Sequence, residues 1–303
     1  MLVFATSDKG GTGRSVTSSN MLYRRALQGS NVAYLDFDFG SPTAGAIFNI
    51  EDSMRGTRKG GLHRYLRSEI ALPTKLDVWR ESARGSLRGK PDGAGKLTLF
   101  PGDEGGGEFI KWHKDIVGRC VELFSRLEEE FAISLVDLSA GRSFATDLVL
   151  EATSPKNLPN ITSRWLVFHR WTRQHVYAAN GLVYGDRGII DSGAKRGHDR
   201  EQLRRNIRFV RTAVVDPRAQ TQGLQPPQIA WLTDVNEDLR ELAGQLRIGR
   251  MNMLGSVPLD PVLQWREQLI SDTDTITRQI ANPATVDAFV TLAKNLTEKW
   301  TEL

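Results

Sequence analysis

Cysteine is nearly missing. A single residue, Cys120, occurs in 303, which excludes an intramolecular disulfide and any zinc site built on several thiolates. Such scarcity is usual in a reducing compartment, and Cys120 itself, set among apolar neighbours, is expected in the core. No apolar run approaches the roughly 20 residues that span a bilayer, so membrane contact would have to be peripheral. Met1–Ser7 lead straight into a glycine-rich loop, leaving no room for a charged and apolar leader, and the expected location is the cytoplasm. Charge of neither sign is scarce: 40 basic against 36 acidic residues leave a net charge of +4. That permits an anionic partner without requiring one. The 40% hydrophobic and 25% charged residues are the balance of a folded globular chain.

Apolar segments of two kinds alternate along the chain. Leu2–Ala5 reads as a short strand, Gly10–Gly13 as a tight loop, and Ser15–Leu27 as a helix with Val16, Asn20, Tyr23 and Leu27 on one stripe before Gly29. Asn31–Asp38 is a second strand, which completes a βαβ unit and implies a parallel sheet. Residues 52–95 are basic and glycine-rich, with one helical stretch near Leu62–Leu66, and read as an irregular elaboration of the sheet rim. Lys96–Phe100 is a strand candidate. Apolar residues from Phe109 to Leu127 recur at spacings of three and four, the mark of an amphipathic helix. Ala132–Leu138 has the near-continuous apolar character of a central parallel strand. Trp165–His169, Phe209–Val215, Ile229–Thr233 and Met253–Val257 are further strand candidates. Helices are expected over Gln174–Tyr184, Arg200–Arg208, Asn236–Leu246 and Ala284–Trp300. No repeat or linker divides the chain, so residues 1–303 are expected to form one doubly wound α/β domain with a mostly parallel sheet flanked by helices.

The loop between the first strand and helix carries the chemistry. Without side chains at Gly10, Gly11 and Gly13, several backbone N–H groups can turn toward one point at a helix N-terminus, where the partial positive charge favours phosphate. Lys9 and Arg14 add fixed charge. Ser15 places a hydroxyl where phosphate loops bind Mg²⁺. Asp36 and Asp38 end the second strand two residues apart, so both carboxylates are expected on the loop's side of the sheet. Asp137 closes the apolar run of the central strand.

Lys9-Gly10-Gly11-Thr12-Gly13-Arg14-Ser15 resembles the deviant Walker A motif, KGGxGK[ST], of the ParA/MinD class of ATPases. The resemblance implies ATP and Mg²⁺ as cofactors and a homodimer that closes on nucleotide, with Lys9 reaching across to the partner's phosphates. It implies that Thr12 lies within the phosphate cradle, that Asp38 orients the attacking water, and that Ser15, Asp36 and Asp137 stand around the metal. Gly255-Ser256-Val257-Pro258-Leu259-Asp260 is similar to the family element whose proline borders the base, and Asp216 stands where the family often has asparagine against the base; adenine is the base implied. The departure is Arg14. The family has lysine there, and a planar guanidinium is not equivalent to an ammonium at close quarters. Two readings stay open: a ParA-type switch ATPase that positions or segregates cargo such as plasmid DNA, with a partner protein stimulating turnover, or a nucleotide-binding scaffold with weak or no hydrolysis.

Arg200, Arg204, Arg205, Arg208 and Arg211 crowd one stretch, and on a continuous helix Arg200, Arg204, Arg208 and Arg211 would share a face able to meet DNA phosphates without sequence preference. A solvated, partly paired basic face is the alternative. The last helix has an apolar stripe, but Lys294 and Lys299 are offset by Asp287, Glu298 and Glu302, so it lacks the cationic face of a membrane-surface helix.

Overall fold

The computed structural model describes residues 1–109, 114–216 and 223–300. Strands β1 (Leu2–Thr6), β2 (Val32–Phe37), β3 (Leu76–Asp77), β4 (Leu97–Phe100), β5 (Ile133–Leu138), β6 (Ser163–Arg170), β7 (Ile207–Val214) and β8 (Met253–Pro258) form one sheet among the described residues. Their order is β3-β4-β2-β5-β1-β6-β7-β8. All neighbours run parallel except β3, which pairs antiparallel with β4 at the edge.

Helices cover both faces, which is why β1, β2 and β5 are buried along their whole length and read as unbroken apolar runs. On one face lie α1 (Arg14–Leu27), the single turns α2 (Ala44–Ile47) and α4 (Val78–Glu81), and the last helix, α12 (Pro283–Thr297). The other face carries α3 (Leu62–Leu66), α5 (Lys114–Glu130), α6 (Phe144–Ala152), α7 (Arg173–Tyr184), α8 (Ile189–Ala194) and α10 (Pro226–Gln245). The short α9 (Arg200–Arg205) leads into β7, and α11 (Pro261–Trp265) follows β8. Strand residues alternate between the two cores. Leu2, Phe4, Val136 and Phe209 face α5 and its neighbours, whereas Val3, Ala5, Leu135 and Val210 face α1 and α12. No helix among the described residues is long and apolar enough to cross a membrane.

Helix α1 meets the segment between α11 and α12. Asn20 donates to the Gln268 carbonyl at 3.0 Å and accepts from the Ile270 N–H at 2.7 Å. One turn later, Arg24 reaches the Ile270 carbonyl and Asp272, each at 2.7 Å. These bonds satisfy polar groups that burial would otherwise leave costly.

Three expectations about elements need correction. Ile229–Thr233 is not a strand; it lies inside α10, whose start is fixed by Pro226 and Pro227 in the first turn and a reciprocal Gln225–Gln228 capping box. Helix α9 stops at Arg205 instead of running to Arg208, and Ile207-Arg208-Phe209-Val210 alternates as a strand. Helix α5 is described from Lys114 onward, Phe109 is not helical, and Trp112 lies outside the described residues.

The second correction dismantles the shared arginine face. Arg208 points into the α12 side, donates to the Arg205 and Ile207 carbonyls at 2.9 and 2.8 Å, and lies over the Trp300 ring. Arg211 points to the opposite face, with its guanidinium 3.3 Å from the Trp171 ring centroid. Of the five arginines, only Arg200, Arg204 and Arg205 remain on a helix, and Arg200 and Arg204 meet Asp191 and Glu201 at 3.4 and 3.5 Å.

Candidate nucleotide site

Strand β1 delivers the chain to a loop that ends at Gly13, whose φ of 72° is the left-handed turn that lets α1 begin. The first turn of α1 holds no acidic side chain, while Arg24 and Arg25 occupy the last turn. The exposed N–H groups therefore face the loop with their positive field uncancelled. A Cβ built on Gly10 or Gly11 would meet no atom within 4 Å. The space over the loop is open to a ligand. Thr212 on β7 holds the loop from below by donating its hydroxyl to the Thr12 carbonyl at 2.6 Å, and Ser7 Oγ bonds the Lys9 carbonyl at 2.9 Å.

The loop opens into a cleft of about 640 Å³ lined by Gly10, Gly11, Thr12, Gly13, Arg14, Ser15, Asp38 and Pro258, together with Arg170, Ala213 and Trp265. That volume is within the range of ligand pockets, about 300–1,000 Å³, and the cleft lies at the carboxyl ends of parallel strands, where such folds bind ligands. Eight residues singled out in the sequence thus share one cleft. Lys9 sits half-buried beside it and makes no ion pair among the described residues. Asp216 lines a separate cleft of about 720 Å³ that shares Pro258 with the first.

Arg14 does not extend into open space. It is buried, at 6% exposure, and its Nε is bonded to Asp137. The same guanidinium reaches Asp38 at 3.1 Å and Ser7 Oγ at 3.4 Å. Burial alone would lower its pKa, but the charges of Asp137 and Asp38 outweigh that and raise it. The other Asp137 oxygen accepts from the Tyr34 hydroxyl at 2.6 Å, so both oxygens of this carboxylate are held by protein donors. Tyr34 is itself pushed well above its usual pKa by burial and by Asp137.

Asp36 is committed in another way. Its carboxyl accepts from the Ala44 N–H at 3.0 Å and the Asp38 N–H at 3.3 Å, which fastens the turn between β2 and α2. Burial first, with the charges of Asp137 and Asp38 adding to it, pushes Asp36 up to about 8. Gly141, after β5, donates its N–H to the Ser7 carbonyl at 2.7 Å.

Magnesium is the metal that the Walker A resemblance of residues 9–15 implies. In the present arrangement the residues do not fit it: of Ser15, Asp36 and Asp137, the two carboxylates have their oxygens bonded to protein donors, and Ser15 alone lines the cleft. No group of three or more His, Cys, Asp or Glu side chains able to hold a metal occurs among the described residues. The guanidinium of Arg14 stands against the two carboxylates where a cation's charge would be expected. Ser7, Tyr34 and Thr212, which complete this network, had no motif to mark them; their roles come from contacts between strands distant in sequence.

No protein-family profile matches the sequence, and a search of curated proteins gives no match. Among solved structures, the chain is similar in fold to MinD in the MinC:MinD cell division complex of Aquifex aeolicus (TM-score 0.62, 16% identity, covering 100% of this chain and 98% of that one). It is similar to a putative plasmid partition protein of Borrelia burgdorferi bound to AMPPNP (TM-score 0.58, 12% identity, 97% of each chain). A further likeness is to pNOB8 ParA bound to nonspecific DNA (TM-score 0.50, 14% identity, 97% and 96%). The fold is therefore that of the ParA/MinD ATPases over the full chain.

Proposed function

We propose that the protein is an adenine-nucleotide-binding switch of the ParA/MinD kind that dimerises on ATP and positions cargo such as plasmid DNA. The observation that carries this reading is the open glycine loop at the head of α1, facing a cleft of nucleotide size, with Lys9 beside the loop and in no ion pair among the described residues. Lys9 is the residue for the partner's phosphates, and Asp38, at the cleft wall, is the candidate to orient water. The Borrelia and pNOB8 likenesses support nucleotide and DNA respectively as partners to test. DNA would meet α9, where Arg204 and Arg205 border a cleft of about 570 Å³ with Arg247 and Arg250.

A second reading, a nucleotide-binding scaffold with weak or no hydrolysis, is favoured by Arg14. Its ion pairs occupy Asp137 and Asp38 together, the two carboxylates on which turnover of the ParA/MinD kind would draw. The test is ATP-dependent dimerisation, followed by light scattering with and without duplex DNA, and ATPase assay of wild type, Lys9→Ala and Arg14→Lys. Loss of dimerisation in Lys9→Ala supports the switch. A large gain of turnover in Arg14→Lys supports the scaffold reading of the native chain. A wild-type protein that stays monomeric with ATP defeats both.

A further inference from the structure

We infer that Trp265 is the platform on which the base of the bound nucleotide stacks; this deepens the nucleotide-binding reading and rests on it. Trp265 ends α11 and is 84% exposed, yet it lines the same cleft as the phosphate loop. The contrast with the core tryptophans is large. Trp79, Trp165 and Trp171 are buried at 3%, 0% and 8% exposure. A folded chain gains by covering an indole, so one left bare at the rim of a ligand cleft is a candidate contact for a flat aromatic guest.

The exposure does not come from a loose segment. Asp260, itself 3% exposed, accepts from the Val262 N–H at 3.1 Å and caps α11. Its other oxygen accepts from the Asn282 N–H at 3.0 Å and the Thr285 hydroxyl at 2.7 Å, tying the start of α11 to the start of α12. Beyond the tryptophan, the Arg266 N–H returns to the Val262 carbonyl at 3.0 Å and its guanidinium reaches Asn49 Oδ1 at 3.4 Å. The indole is thus carried on a short element fastened on both sides, and preorganisation of this kind lowers the entropy lost on binding.

The cleft offers surfaces for both a base and phosphates. Val257, Pro258, Leu263 and Trp265 make an apolar stretch, while Gly10–Ser15 supply N–H donors and a hydroxyl. Ala213 also lines the cleft, with φ of 50°, a left-handed conformation unusual for a residue with a side chain. It falls where the β7–β8 register shifts between Arg211 and Val214. Irregular pairing of this sort redirects the strand end beside the cleft. Because every base has a π-face, stacking of this type gives affinity with little choice among purines.

The test separates base from phosphate. ADP and inorganic tripolyphosphate are titrated calorimetrically into wild type, Trp265→Phe and Trp265→Ala. Loss of a base stack is expected to weaken ADP binding roughly five- to a hundredfold in Trp265→Ala, less in Trp265→Phe, with tripolyphosphate binding alike to all three. ADP should quench the tryptophan emission of wild type and not that of Trp265→Phe. Equal ADP affinity in wild type and Trp265→Ala overturns the inference, as does a parallel loss of tripolyphosphate, which would mark a structural role. Wild type that binds tripolyphosphate but not ADP also overturns it, and wild type that binds neither defeats the nucleotide reading itself.

Discussion

Replacing Arg14 by methionine keeps much of the side-chain volume but removes the charge, and the structure fixes the consequence. Asp137 is 2% exposed and would retain a single donor, the Tyr34 hydroxyl. Asp36 lies close enough for the charge of Asp137 to raise its pKa, so the site cannot readily absorb a further uncompensated negative charge. Breaking a buried pair on one side costs about 3–5 kcal/mol, since the cost is dominated by the stranded ion. Substituting Asp137→Asn in the same chain removes that ion. The double variant is then expected to recover about 2–3 kcal/mol relative to the sum of the single changes, the coupling expected of residues in direct contact. Lys75 and Glu130 provide the control: their pair is 49% and 37% exposed, so Lys75→Met should cost under about 1 kcal/mol. Urea unfolding followed by circular dichroism measures all four variants against the wild type. If Arg14→Met costs no more than Lys75→Met, or if its effect and that of Asp137→Asn simply add, Arg14 is not the buried counter-ion described here.

Further outcomes follow from the same network and from the far side of the sheet. Tyr34→Phe leaves one Asp137 oxygen without a donor and should cost about 1–3 kcal/mol, read as a lower urea midpoint at constant slope. Asp260→Ala removes one helix cap and two α12 contacts; a loss of about 2 kcal/mol is expected, and an unchanged midpoint would show that α11 is held by packing alone. His169 is 1% exposed, and burial lowers its pKa to about 4. The folded state therefore holds the ring neutral while the unfolded chain begins to protonate near 6.5. Stability from this group is full above about pH 6.5 and declines as pH falls toward 4, by up to about 3 kcal/mol. His169→Phe should flatten that part of the pH–stability curve, and an identical slope in both proteins would refute the assignment.

What could be read in advance depended on how local the signal was. The β1-loop-α1 unit, β2 and β5 were legible because doubly covered parallel strands are apolar throughout and the glycines and Ser15 stand in fixed register. Ile229–Thr233 misled because five residues of bulk and β-branching look like a strand; the Pro226-Pro227 start and the apolar positions Leu232, Val235, Leu239 and Leu242 decide for a helix. The arginine stripe failed for a related reason, since spacing by four was followed across the point where Asn206 ends α9. Asp38 and Ser15 were placed on the cleft by motif. That Arg14 turns inward to Asp137, 123 residues away, has no periodic signature; it depends on how β1, β2 and β5 are ordered in the sheet.

The bonds from Asn20 and Arg24 to residues 268–272 have a temporal meaning as well. The glycine loop is synthesised before Pro258 and Trp265, which line the same cleft. Until β8 has added to the sheet edge and α12 has packed beside α1, the loop has no cleft. Contacts across about 250 residues close slowly compared with local ones. A chain cut short after β7 would carry the whole glycine loop and Asp38 and still present only one wall of the cleft, without Pro258 and Trp265.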